Sequence, residues 1–221
     1  MSVSDGLDRV QPADKKSKVR CAVLTDVVKP KRAWLHFIEK DGKKMSYRCH
    51  SVRDKKNVIT EMADCCKKLN NDDNQKAQLN FAVLVVKYTN ADPVTGKYEK
   101  DSSGEVPPIR WELGWLKLSR AGFKAISELV MEGEQAHDFD FTVGNRENGI
   151  GYEYKRISQK ARYRLNKDLL AEIHAESKKF ADGVLLSKRL GKVINAIDMK
   201  ALLAGSKAAG AGAQIDNTDD L

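Results

Sequence analysis

The sequence predicts an α+β protein: a mainly antiparallel β-sheet curled into a partly open barrel, with helices inserted between its hairpins and a helical appendage after it. Three observations lead there. Short stretches alternate apolar and polar residues with turn residues between them, as in AWLHFIE and KMSYRC around Lys40-Asp41-Gly42-Lys43. Elsewhere the apolar spacing changes to the three-to-four-residue period of helices. After Leu165 that helical texture persists to the end of the patterned sequence.

Taken in order, Met1–Ser17 is polar and reads as a loose arm, and Val19–Val28 as a first strand closed by Lys29-Pro30-Lys31-Arg32. Ala33–Cys49 is a hairpin, since Asp-Gly supplies the positive φ angles of a tight turn. Trp34, His36 and Ile38 share one of its faces. Val58, Ile59, Met62, Cys65, Cys66 and Leu69 predict an amphipathic helix over Asp54–Asn70. Leu79–Tyr88 is the most apolar run and the best central strand. Thr89–Pro108 is a long excursion, of the kind that in compact domains carries function or moves.

Ile109–Leu118 returns to strand, with a parity switch at Gly114 that suggests a bulge or bend. Ser119 caps a helix that Gly133 ends. Asp138–Val143 and Ile150–Ile157 form a last hairpin. Asn166 can cap a helix through Lys179, and Val184–Leu203 reads as another. The expected organisation is a flexible arm (1–18), an OB-like domain (19–165), a helical appendage (166–204), and a linker with an acidic tail (205–221). Short strands in hairpins with interposed helices fit the OB type, and a generic α+β sheet is the competing reading.

The chain has 221 residues and a formal charge of +8. The excess is concentrated: Lys155–Lys192 holds eleven Lys or Arg against four Asp or Glu, while Ile215–Leu221 holds three acids and no base. That asymmetry suggests a polyanion as partner. No apolar run reaches the roughly 18 residues of a membrane span, and Met1–Asp5 is no signal peptide, so a cytoplasmic protein is expected. A P-loop and a nucleophile elbow are both missing. Asp138 and Asp140 form a bare Asp-x-Asp with nothing nearby to complete a metal-dependent catalytic set. A non-enzymatic protein is expected, with no cofactor.

Cys49, His50, Cys65 and Cys66 are weak candidates for zinc. Adjacent ligands suit a tetrahedral site poorly, and buried thiols on the helix stripe explain the cysteines adequately. The stronger signal is aromatic residues among cations, because every base offers a π-face and every nucleotide a phosphate. Trp34 and Tyr47 lie beside Lys31, Arg32, Lys43, Lys44 and Arg48. Tyr152 and Tyr154 lie beside Arg146, Lys155, Arg156, Lys160 and Arg162, and Lys87 and Arg110 end the central strands. These are the candidate nucleic-acid-binding residues.

From Ala33 to Arg162 the order resembles that of phage-encoded single-stranded-DNA-binding proteins related to the T-even phage helix-destabilising protein. The residues that carry the resemblance are IRWELGWLKLS leading into a helix, then HDFDFTV and GIGYEYKRI, with Asp140–Ile157 similar to that family's final hairpin. The resemblance implies an OB-fold cleft lined by Lys, Arg and aromatics. It also implies an acidic tail, here Asp216, Asp219, Asp220 and Leu221, that recruits replication or recombination proteins. Family members often carry a Cys-x-x-Cys zinc knuckle where this chain has Cys49-His50 and Cys65-Cys66. The resulting expectation is a sequence-independent single-stranded-DNA-binding protein of phage-type replication, located in the host cytoplasm. The rival readings are an RNA- or duplex-DNA-binding regulator working through the basic helices, and a protein–protein adaptor.

Overall fold

The computed structural model describes residues 7–40, 43–69, 76–98, 100, 102–103, 105, 108–149, 151–204 and 207–208. The strands are β1 (Asp8–Arg9), β2 (Lys18–Val23), β3 (Lys31–Lys40), β4 (Lys43–Arg48), β5 (Val52–Arg53), β6 (Ile59–Glu61), β7 (Gln78–Tyr88), β8 (Trp111–Ser119), β9 (Phe141–Asn145), β10 (Tyr152–Arg156) and β11 (Lys207–Ala208). The helices are α1 (Asp64–Leu69), α2 (Arg120–Ser127), α3 (Lys167–Ser177), α4 (Val184–Lys188) and α5 (Ala196–Ala204). The protein is mixed α+β, and its strands are partly parallel. Among the described residues no helix is long and apolar enough to cross a membrane.

Two compact units are present, each assembled from two chain segments: Met1–Lys31 with Phe81–Leu186, and Arg32–Asn80 with Ser187–Leu221. The hairpin after Lys31 belongs with the last helix, and α3 belongs with the larger unit.

In the larger unit the strand order is β1-β8-β7-β2-β9-β10. Residues 7–10, within the segment expected as a loose arm, are part of this sheet. Leu7 and Val10 are buried, and β1 runs parallel to β8 with Asp8 opposite Gly114. Gly114 is required by that approach, since a Cβ there would lie 2.4 Å from Val10 Cγ2. The core joins Val10, Cys21, Val23, Val83, Val85, Leu116, Leu118, Ile126, Phe139, Phe141 and Val143. Ser119 caps α2 by accepting from the Gly122 amide, and Asn166 caps α3 by accepting from the Asp168 and Leu169 amides. Both caps follow from side chains that satisfy otherwise orphaned amides.

The last hairpin forms as β9 and β10, with Tyr154 opposite Val143. Its acid at position 140 is not on a solvent face. Asp140 is fully buried and accepts from Arg20 Nε (3.0 Å) and Nη2 (2.6 Å), Tyr88 Oη (2.8 Å) and the Arg162 amide (3.2 Å). Burial pushes its carboxyl upward while Arg20 pulls it down. Four donors aimed at two oxygens match the ionised form.

In the smaller unit β3 pairs with β4, Lys40 opposite Lys43 and His36 opposite Tyr47, and β11 pairs with β3. The Asp41-Gly42 turn lies outside the described residues. The segment predicted as a helix over Asp54–Asn70 is mostly a β5–β6 hairpin, with only α1 helical. The Asp54 carboxylate takes the Val58 amide at 2.8 Å, and Asn57 adopts φ 66°, a left-handed geometry that ends any helix and turns the chain. The helix predicted over Val184–Leu203 is broken into α4 and α5 at Gly191 (φ 74°).

Replacing Asp140 with Asn should cost about 3–5 kcal/mol, because Arg20 would be left as a buried charge without its counter-ion. Urea unfolding of the two proteins measures it. Glu134, paired with Arg156 at 2.6 and 2.8 Å, is held down to about 2 by those hydrogen bonds. Its contribution is present above its ordinary value of 4.5 and is lost as pH falls toward 2. Glu134→Gln should flatten the acid limb of a urea-midpoint profile relative to wild type.

Candidate metal centre and nucleic-acid surface

In the smaller unit the hairpin register places Cys49 beside Trp34, whose carbonyl accepts the Cys49 amide at 2.8 Å. Trp34 and His36, two apart on β3, share a face with the residues directly opposite them, Cys49 and Tyr47, so His36 and Cys49 lie on one side. The start of α1 brings Cys65 and Cys66 to the same place. The imidazole of His36 and the thiols of Cys49, Cys65 and Cys66 offer four ligand atoms within 4.8 Å of one another. Cys49 Sγ is 3.2 Å from Cys66 Sγ, and Cys66 Sγ is 3.5 Å from His36 Nε2. His36, Cys65 and Cys66 are buried and Cys49 half-buried.

Hydrogen bonds from Cys65 and Cys66 pull the Cys49 thiol down, while the same pairing pushes Cys65 up. Three thiols and an imidazole brought this close together form a compact set of soft donors. A tetrahedral zinc with bonds of about 2.3 Å holds its donors about 3.8 Å apart, and three sulfurs with one imidazole are a standard donor set for it. The residues fit zinc.

His50 is not among these ligand atoms. It lines a neighbouring cavity of about 640 Å³ with Ala63, Cys65, Met199 and Leu203. Three of the four sequence candidates therefore converge, and His36 takes the place of His50. The adjacency of Cys65 and Cys66 is no obstacle, since both ligand atoms reach the cluster. Around it pack Ile38, Tyr47, Leu69, Met199 and Leu203, with the Lys68 ammonium donating to the Leu203 carbonyl at 2.6 Å.

The candidate nucleic-acid residues are distributed unequally. In the smaller unit Arg32 is exposed and Trp34 half-buried, while Tyr47 is only 5% exposed and belongs to the core. Arg48 donates to the carbonyls of Leu190 (3.0 Å) and Ser187, fastening the turn that follows α4. The side chains of Lys43 and Lys44 lie outside the described residues.

In the larger unit Arg156 is locked to Glu134, and Lys87 pairs with Glu112 at 2.5 Å. Tyr154 packs against Phe141 and over Gly122, and Tyr152 is half-buried with its hydroxyl 3.4 Å from Gln11 Oε1. Arg146 is exposed and donates to the Tyr152 carbonyl, and Lys155 is exposed at 3.5 Å from Glu153. Lys31 is half-buried, and Arg110 and Lys160 are exposed. Asp216, Asp219, Asp220 and Leu221 lie outside the described residues.

Sequence reasoning missed Tyr98, which sits on the excursion rather than on a strand. Its ring lies 4.6 Å from the Arg20 guanidinium and 5.7 Å from that of Arg162. Several arginines stack on rings, but most are also neutralised. Arg20 is held by Asp140, Arg156 over Phe139 by Glu134, and Arg164 over Tyr163 by Asp26. Arg162 over Tyr98 has no carboxylate within ion-pair distance among the described residues. Arginine–ring stacking was invisible beforehand, because nothing local in the sequence says which excursion residue meets which strand.

Comparison of the chain with models of known protein families finds no match, and no curated protein is significantly similar to it.

Purified protein is expected to carry one zinc per chain. His36→Ala and Cys66→Ser should lose it and His50→Ala should keep it, as read by metal analysis and by the absorbance of the cobalt-substituted protein. Chelation should unfold the smaller unit, because binding energy at a structural zinc is folding energy. Loss of amide protection confined to 32–80 and 187–208 in hydrogen exchange would show it.

Proposed function

We propose that this chain is a sequence-independent single-stranded-DNA-binding protein of phage-type replication or recombination, with an OB-like sheet and a zinc-organised smaller unit. The observation that supports this best is the pairing of Tyr98 with Arg162. A half-buried ring beside an un-neutralised guanidinium on an open sheet suits a base and its phosphate together. Exposed Arg110 and Lys160 in the same unit add positive charge that no described carboxylate cancels. Zinc in this reading is structural: the four candidate ligands would close a tetrahedral site with no open position for a substrate.

The acidic segment Asp216–Leu221 is read as the partner-recruiting part, competing with DNA for cationic surface until DNA displaces it. Deleting Gln214–Leu221 should then tighten DNA binding and abolish capture of replication proteins.

Fluorescence anisotropy of labelled oligo-dT across a salt series, with duplex DNA as competitor, tests the main reading. Preference for dT is expected, with a log–log salt slope near −0.7 per phosphate bound. Tyr98→Ala should weaken binding by about 1–3 kcal/mol if the ring stacks on a base. Duplex preference would favour a regulator working through the basic helices instead, and no binding at all would favour an adaptor.

A further inference from the structure

Arg53 is the other arginine that stacks on a ring without a carboxylate. Its guanidinium lies over the Trp34 indole at 3.8 Å from the ring centroid, nearer than any other cation–ring pair among the described residues. Hydrogen bonding alone does not hold it there. Nη1 donates to the Asn57 carbonyl at 3.1 Å, while Nε is buried with no acceptor among the described residues. The Asn57 carbonyl is presented by a turn with the left-handed φ of 66°, a geometry that costs free energy in a non-glycine residue and persists where the surroundings impose it. Asp54 stabilises this turn through the Val58 amide rather than by pairing with Arg53.

The turn between β5 and β6 also carries Lys55 and Lys56, both exposed and without an ion pair among the described residues. Trp34 and Arg53 are both half-buried, so the stack is partly open to solvent. A planar, weakly hydrated cation backed by an indole and flanked by two free ammonium groups is a recognisable chemical arrangement. The guanidinium offers a flat charged face to a base, the indole fixes its plane, and the lysines meet phosphates.

We infer that Arg53, held by Trp34, forms a second single-strand contact in the smaller unit, stacking one base while Lys55 and Lys56 bind the adjacent phosphates. The inference rests on the single-strand reading above but adds residues and a unit that the reading does not need. Trp34 then acts as a positioning residue for Arg53 rather than as the stacking ring.

Oligo-dT anisotropy on Arg53→Ala, Arg53→Lys and the Lys55→Ala/Lys56→Ala pair is the test, with zinc content and circular dichroism confirming that each variant is folded. Arg53→Ala should weaken dT binding at least about fivefold. Arg53→Lys should not restore it, because an ammonium keeps the charge and loses the plane. The lysine pair should lower the salt slope by about 1.4, or 0.7 for each phosphate no longer bound. In the wild type, dT should quench tryptophan fluorescence, and Trp34→Phe should remove most of that quenching.

If the wild type binds dT and Tyr98→Ala weakens it while Arg53→Ala does not, this inference falls and the single-strand reading stands. Full rescue by Arg53→Lys would overturn the stacking role. Failure of the wild type to bind dT would overturn both.

Discussion

The larger unit depends on one buried carboxylate. Asp140 is fully enclosed and takes four hydrogen bonds from groups far apart in sequence: Arg20 on β2, Tyr88 at the end of β7, and the amide of Arg162 beyond β10. Tyr88 relays the network by accepting from the Tyr163 amide at 3.2 Å while donating to Asp140. A charge at such depth is tolerated only when every lone pair is met, so the three segments can close in one arrangement. The same Arg20 then reaches Tyr98. The excursion residue on which the DNA reading leans is thus positioned by a charge it never touches.

The smaller unit is held together differently. Its helices α1 and α5, of six and nine residues, are too short to be stable alone, and its β5–β6 ribbon is equally slight. What gathers them is the His36, Cys49, Cys65 and Cys66 cluster with the apolar residues around it. Bonds from soft donors to a metal would supply the cohesion that a small core lacks. In this unit the Arg53–Trp34 stack is half-buried, carried by a turn whose left-handed residue, Asn57, holds one carbonyl in place.

Net charge is a poor guide to where a polyanion would sit. Of the cations named from sequence, Arg156 and Lys87 are spent on carboxylates, and Arg48 on backbone carbonyls. The remaining useful charge is sparse. Besides exposed cations such as Arg110, Lys160, Lys55 and Lys56, it falls where a guanidinium lies on a ring and no carboxylate stands nearby, at Arg162 and Arg53. Stacking orients these groups without discharging them, which is what a site for phosphate and base together requires.

Elements whose cause is local were readable from sequence alone: the β3–β4 pairing, the apolar β7, the Ser119 and Asn166 caps, and the β9–β10 hairpin. Each rests on alternation, a turn residue or a side chain bonding its own backbone, none of which needs distant partners. Parity along the first hairpin even held the clue to His36, two residues from Trp34 and on the face of Cys49. Tertiary structure alone decided the rest. It buried Asp140, just before β9, on the face opposite Phe141, and drew Leu7 and Val10 into the sheet. It also turned a helical-looking run into a hairpin, because the Asp54 cap and the Asn57 turn outweighed a spacing shared by both structures. Pairings across more than a hundred residues, such as Arg20 with Asp140, leave no mark in local sequence, since their energy appears only when folding has removed water from both partners.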